Sequence, residues 1–406
     1  MNIQLLPNNK VIMYDATNLG PSSMKLPDGN CRPVPGRPGE VDCSAHAVEY
    51  DVQTAKVGPL KVLSNTWCSS GGLTVDGNLI STGGTDEGNQ SVRILNPCKG
   101  CDFKERLDVL AAARWSSSQE KLEDGNFILV GGRREFSYEQ GRRQDSIVFT
   151  RKRVDLPFLR LTTTDKYENN LYPFVHLLPD GNIFLLANRR SIIIDTKTDK
   201  VVRELPLMPG GSRGFPASGM SALLPLKISN VNGSTMEAEV MVCGGAKPEA
   251  AEKAEKDELL WAMTDCGRLM VTNPDAQWEL ELMPTRRVMG DMLLLPTAEV
   301  LLLNGATQGV SGLSSADLPN LTPLLYTPEK KVKHRFKSLK PTEIPRMYQS
   351  SAAVLPDGNV LVAGSNPNKN YDFQAKFPTE LRVEKFTPRA LLGSRFGHPQ
   401  ASDFRR

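Results

Sequence analysis

Leu177-Leu178-Pro179-Asp180-Gly181-Asn182-Ile183-Phe184-Leu185-Leu186 reads as two strands joined by a tight turn. Asp-Gly supplies the positive φ that a short hairpin needs. The flanking runs are apolar at successive positions, as in strands packed on both faces. The stretch stops at Ala187-Asn188. The same plan recurs in Leu73-Thr74-Val75-Asp76-Gly77-Asn78-Leu79-Ile80, which runs to Gly83-Gly84. It recurs again in Leu122 to Val130, stopped by Gly131-Gly132, and in Leu355 to Val362, stopped by Ala363-Gly364.

Weaker copies begin at Gln4-Leu5-Leu6-Pro7, at Ala222-Leu223-Leu224-Pro225 and at Leu293-Leu294-Leu295-Pro296. The copies lie about 46–70 residues apart, a spacing near that of kelch-like blades and unlike helical repeats. A third strand follows the hairpins, for example Ala47 to Asp51 and Ile192 to Asp195. The expectation is an all-β chain, a seven-bladed kelch-type β-propeller of four-stranded blades. A β-sandwich or two separate β domains are the competing architectures. The stop glycines are expected to let inner strands crowd the central channel. The first copy starts almost at residue 1 and the last blade has no evident source of an outer strand, so the ring is expected to be incompletely closed. Residues 1–390 form the propeller, and residues 391–406 a short basic tail. Lys247 to Met263, rich in Ala, Glu and Lys, is expected to form a short exposed helix.

The chain has 406 residues, 49 basic and 46 acidic, with net charge +3. That balance gives no electrostatic case for nucleic acid. The Arg pairs at 133–134, 189–190 and 286–287 read as solvated loop charge. No apolar run is long enough to span a membrane. Seven cysteines are an odd set. Cys31 with Cys43, Cys98 with Cys101 and Cys243 with Cys266 form three disulfides in an oxidising compartment, or remain reduced thiols in a cytosolic one. Cys68 is left over in the first case. The amino-terminal stretch Met1 to Pro7 does not read as a signal peptide. Sequons at Asn89, Asn232 and Asn320 lend weak support to secretion.

Three further stretches carry chemistry: Trp67-Cys68-Ser69-Ser70-Gly71, Arg133-Arg134-Glu135-Phe136-Ser137-Tyr138-Glu139, and Ile344-Pro345-Arg346-Met347-Tyr348-Gln349. With Asp42-Cys43-Ser44-Ala45-His46, Glu168 to His176 and Arg287 to Met292, they make the chain resemble the plant glyoxal oxidases over residues 1–390. These are copper-radical enzymes with a galactose oxidase-like propeller. The resemblance implies that Cys68 is joined by a thioether to Tyr138, which binds copper and stores an oxidising equivalent as a radical. It implies that Tyr348 is a second copper ligand and acts as base. Small aldehydes would be oxidised to acids, with dioxygen leaving as hydrogen peroxide, and the location would be extracellular.

The chain departs from the family where a copper-binding histidine follows the tyrosine; here that residue is Gln349. A neutral amide oxygen is a poorer ligand for Cu(II) than imidazole. The family's other histidine comes from a C-terminal β domain that does not follow in this chain, and His398 does not match its motif. Tyr138 and Tyr348 would remain as protein ligands. The expectation is an oxidase by descent with impaired copper binding, in which Gln349→His alone does not restore turnover. The alternative is a non-catalytic propeller, a pseudoenzyme that binds cell-wall carbohydrate or a protein at the channel mouth. His46 and His176 are read as structural, and His334 as an exposed loop residue.

Overall fold

The computed structural model describes residues 1–133, 146–149, 152–228 and 236–388. Seven short strands form an inner ring: Asn2–Leu5, Ser70–Leu73, Ser118–Lys121, Phe174–Leu177, Met220–Leu223, Asp291–Leu294 and Ser350–Val354. Each lies beside the next, and the last returns to the first. From each, an antiparallel sheet runs outward in chain order. Among the described residues six of these sheets have four strands. The seventh has three: Ser350–Val354, Val360–Gly364 and Glu384–Phe386. The expected seven four-stranded blades are thus corrected to six. The ring is nonetheless continuous. The first and seventh sheets pack through Val11, Met13, Leu355, Leu361 and Ala363, so burial joins them, and among the described residues no strand is shared.

Apolar runs form these strands because each sheet is covered on both faces by its neighbours. Ile183–Ala187 is buried at every residue. Its odd positions join a cluster with Ile128, Val130 and Val175, while Phe184 and Leu186 join Val240, Val242 and Leu269. Each such side chain, once fully buried, contributes about 1.5–3 kcal/mol.

The two ends of the barrel differ. At one end the first and second strands are joined by the Asp-Gly-Asn turns. Glycine takes the positive φ in these turns (Gly77 +76°, Gly181 +80°), and Asn9 (+61°) and Ala298 (+62°) take it at the corresponding place in the first and sixth sheets. The aspartate instead accepts hydrogen bonds from the following asparagine: Asn182 N donates to Asp180 Oδ1 at 3.1 Å and Asn182 Nδ2 to Oδ2 at 2.8 Å. Asn126 and Asn359 repeat the arrangement on Asp124 and Asp357. At the other end lie the loops that enter each inner strand and the long loops between second and third strands.

Buried arginines tie that second end together. Arg114, Arg213, Arg287 and Arg346, one in each of four entry loops, donate from Nη1 to the carbonyls of Gly131, Gly244, Asn304 and Gly364, where the second strands stop. The stop glycines therefore meet the entry loops, not the channel. A Cβ on Gly83 would lie 2.0 Å from the Arg114 carbonyl oxygen, and one on Gly364 2.5 Å from that of Gln349.

Other expectations change as well. Arg133 and Arg287 are buried, not solvated: Arg287 donates to the Asn304 carbonyl and Arg133 pairs with the Glu168 carboxylate. The helix covers only Ala250–Ala254, and Ala250 and Ala251 are buried against Ala217, Val288 and Ala306. Asn320 is buried, its amide donating to Thr285 Oγ1 and the Arg286 carbonyl, so its sequon is not presented to solvent. All three cysteine pairs are bonded; Cys243 and Cys266 are direct partners on adjacent strands.

Candidate functional site at the channel mouth

Each entry loop places one residue in the left-handed region just before its inner strand. These are Cys68 (+55°), Ser116 (+56°), Tyr172 (+49°), Ser218 (+40°), Met289 (+48°) and Gln349 (+64°). For non-glycine residues such backbone costs about 1–3 kcal/mol and persists only when its surroundings fix it. Here backbone bonds between successive loops fix it. Ser116 N donates to the Cys68 carbonyl at 2.9 Å, Tyr172 N to Ser116 at 2.9 Å, and Met289 N to Ser218 at 2.8 Å. The result is a collar of side chains around the mouth. Cys68 and Gln349 hold equivalent places in it, each the third residue of a turn closed by Ser69 N to Thr66 O (2.9 Å) and Ser350 N to Met347 O (3.0 Å).

The collar buries a hydrophobic cluster of Cys68, Trp115, Leu171, Phe215 and Tyr348, and Trp67 and Tyr172 pack against it. Trp67 meets Trp115 edge-on at 6.0 Å, and Trp115 meets Phe215 edge-on at 5.8 Å. Cys68 Sγ lies 3.9 Å from Tyr348 Oη although 280 residues separate them in the chain. Tyr172 donates its hydroxyl to the Ser69 carbonyl at 2.9 Å, pinning the cysteine turn. Burial pushes the Tyr348 phenol well above its ordinary value, and Cys68 adds to the effect. Burial also raises the Cys68 thiol. Both groups therefore hold their protons at neutral pH.

A cavity of about 220 Å³ opens beside them, walled by Trp67, Leu313, Tyr348 and Gln349, with Asn18 and Asn366 as polar wall. A second cavity, about 270 Å³, lies between the first and seventh sheets, and Gln349 borders both. Of the residues singled out in the sequence, the structure brings Cys68, Tyr348 and Gln349 together. Tyr138 and His398 lie outside the described residues. His46 is distant in role: its Nε2 contacts Asp42 Oδ2 at 2.7 Å. His176 Nε2 sits 2.8 Å from Ser221 Oγ and its ring stacks on Phe184, a packing role as expected. Trp115 and Tyr172 were not singled out from the sequence. Their signal was available, since each sits at the same offset before an inner strand as Trp67-Cys68.

The described donors at the mouth are the phenols of Tyr348 and Tyr172, the Cys68 thiol, the carboxamides of Gln349, Asn18, Asn366 and Asn368 and the Asp15 carboxylate, with no imidazole among them. No cluster of three or more His, Cys, Asp or Glu side chains suited to a metal occurs among the described residues. This donor set does not fit a Cu(II) centre, which prefers imidazole nitrogen in tetragonal geometry.

The model of the glyoxal oxidase N-terminus matches residues 1–390. The chain belongs to the glyoxal oxidase family. It is 48% identical over 386 residues to aldehyde oxidase GLOX1 of Arabidopsis thaliana, covering 94% of this chain and 62% of that protein. It is 43% identical over 392 residues to aldehyde oxidase GLOX of Vitis pseudoreticulata, covering 95% of this chain and 72% of that protein. The chain thus spans somewhat under two thirds of the Arabidopsis protein's length. Among solved structures it resembles a fungal alcohol oxidase in complex with copper, with TM-score 0.69 and 16% identity, covering 95% of this chain and 73% of the other. At that identity the likeness speaks for the fold alone. Among the described residues no helix is long and apolar enough to cross a membrane.

Proposed function

We propose that this glyoxal oxidase family member carries the scaffold of an extracellular copper-radical oxidase of small aldehydes, with the metal site impaired by Gln349. The observation that carries this reading is the meeting of Cys68 with Tyr348, at 3.9 Å, where Tyr348 and Gln349 wall one small cavity. A cysteine and a tyrosine so far apart in sequence meet only because two entry loops share the collar. A generic propeller scaffold has no need of that pair. The cavity suits a small aldehyde: Trp67 and Leu313 give it an apolar wall, and Asn18 and Asn366 can hydrogen-bond a carbonyl or its hydrate. Tyr348 presents its phenol, a hydrogen-bond donor and acceptor, to the same cavity. Gln349 occupies the place the family gives to a ligand histidine, and its neutral amide offers Cu(II) a weak oxygen donor.

The test is copper retention and peroxide release by the purified chain after aerobic loading with Cu(II), with glyoxal and methylglyoxal as substrates. The expected result is little retained copper and little peroxide. Gln349→His should tighten Cu(II) binding by at least about tenfold. A stoichiometric, dialysis-resistant copper in the unaltered chain, with steady peroxide production, would overturn the impairment. Gln349 also favours a second reading, a propeller that no longer turns over and binds carbohydrate or protein at the same face.

A further inference from the structure

Trp261 is half exposed, at 52%, although tryptophan is among the side chains that most favour burial. It does not stand alone. Residues 260–262 run as an added strand along the hairpin Ala306–Gly309 and Ala316–Pro319. Trp261 bridges Gln308, Ala262 N donates to the Thr307 carbonyl at 2.8 Å, and Gly309 N to the Leu260 carbonyl at 2.8 Å. Within the hairpin Gln308 is the register partner of Asp317. Cross-strand partners share a face. Trp261, Gln308 and Asp317 therefore form one row, while Leu260, Ala262 and Ala316 lie on the opposite face, toward a buried cluster. The row is about 10 Å long, two interstrand spacings. The loop that carries the hairpin also supplies Leu313 to the cavity beside Tyr348, so the row stands on the rim of the mouth.

The geometry points to a binding platform for a neutral oligosaccharide, an inference that rests on the carbohydrate-binding reading and gives it a place. An indole face is electron-rich and accepts the weakly positive C–H groups of a sugar ring. Arg286 lies against the ring, 5.6 Å from guanidinium carbon to centroid, and donates to the Ala262 carbonyl at 2.9 Å, which orients the indole. Gln308 offers an amide donor and acceptor, and Asp317 a carboxylate, to hydroxyls of a following ring. Lys376, paired with Asp317 Oδ2 at 2.6 Å, holds that carboxyl below its ordinary range. With Lys376 on Asp317 and Arg286 on Trp261, both nearby cations already have partners within the patch, so the contacts offered to a sugar are the indole and hydrogen-bonding groups of no net charge.

The experiment is titration of the full chain, without added copper, with cellohexaose, xylohexaose and an oligogalacturonate of equal length, read by tryptophan fluorescence and calorimetry. A pull-down on insoluble cellulose and xylan separates polymer binding from capture of free oligosaccharide. Saturable binding of a neutral sugar is expected, weakened about tenfold or more by Trp261→Ala, less by Trp261→Phe, and weakened by Gln308→Ala. The melting temperature of Trp261→Phe and Gln308→Ala should stay at the parent value, which separates lost contacts from lost folding. No saturation up to about 10 mM sugar, equal binding by Trp261→Ala, or preference for the acidic sugar would overturn the inference. Neither result depends on copper. Sugar binding with full peroxide turnover would sink only the impairment of the oxidase site.

Discussion

Arg346→Met puts the arginine arrangement to its hardest test, because Arg346 stands two residues before Tyr348, in the entry loop of the sheet that has three strands among the described residues. The guanidinium donates to the Gly364 carbonyl at 2.7 Å, to the Arg382 carbonyl at 2.9 Å, and to Glu384 Oε2 from Nε at 3.0 Å and Nη2 at 2.9 Å. Its side chain is 1% exposed and that of Glu384 29%. One residue thus ties the entry loop to both other strands of the seventh sheet. Methionine keeps much of the volume but leaves Glu384 with only its bond from Thr342 Oγ1. Removing one partner of a buried ion pair costs about 3–5 kcal/mol. At about 2.1 cal/mol/K per residue, a chain of this size has an unfolding entropy of ~0.8 kcal/mol/K, so the melting temperature should fall by about 4–6 °C. Calorimetry on Arg346→Met, on Glu384→Gln and on the double variant measures it. The double variant should lose less than the sum of the two. The exposed pair Arg37–Glu40, 68% and 51% exposed, is the control; Arg37→Ala should cost at most about 1 kcal/mol. An Arg346→Met protein melting within about 1 °C of the parent would refute the view that these arginines hold the collar.

Two further outcomes follow from the same geometry. Burial pushes Glu120 up to about 7. Between its unfolded value and that figure the unfolded chain releases a proton that the folded chain keeps, so stability falls as pH rises through this window. Glu120→Gln should match the parent near pH 4 and exceed it by roughly 1–3 kcal/mol at pH 8 in urea unfolding; equal pH profiles would exclude the effect. Gly83→Ala should be severely destabilised or insoluble, since its Cβ would press on the Arg114 carbonyl at φ +73°, whereas Gly58→Ala, with nothing within 4 Å, should be tolerated. Comparable expression and melting of the two would contradict the close-approach account.

The repeat was legible because its causes are local. Apolar runs, a glycine at the turn and small residues at the stop are set by the period of a strand and the φ of one residue. Hence the inner hairpins fall where Leu177 to Leu186 and its copies put them. The outer strand of the seventh sheet was in doubt from sequence and has no counterpart among the described residues. The arginines were misread because a charged side chain looks solvated until its acceptors are known. Arg287 reaches the carbonyls of Asn304 and Thr322, which no local pattern announces.

By itself the sequence determined the strand periodicity, the odd cysteine and the stretches that mark the glyoxal oxidase family. Only the tertiary structure decided that Cys68 meets Tyr348 while Tyr348 and Gln349 wall one cavity, that Tyr172 and Trp115 pack beside Cys68 and Tyr348, and that Trp261, Gln308 and Asp317 stand in a row. The reason is physical. A strand's pattern is written in neighbouring residues, but the collar is written in bonds between loops from different blades. Those bonds exist only once the ring has closed.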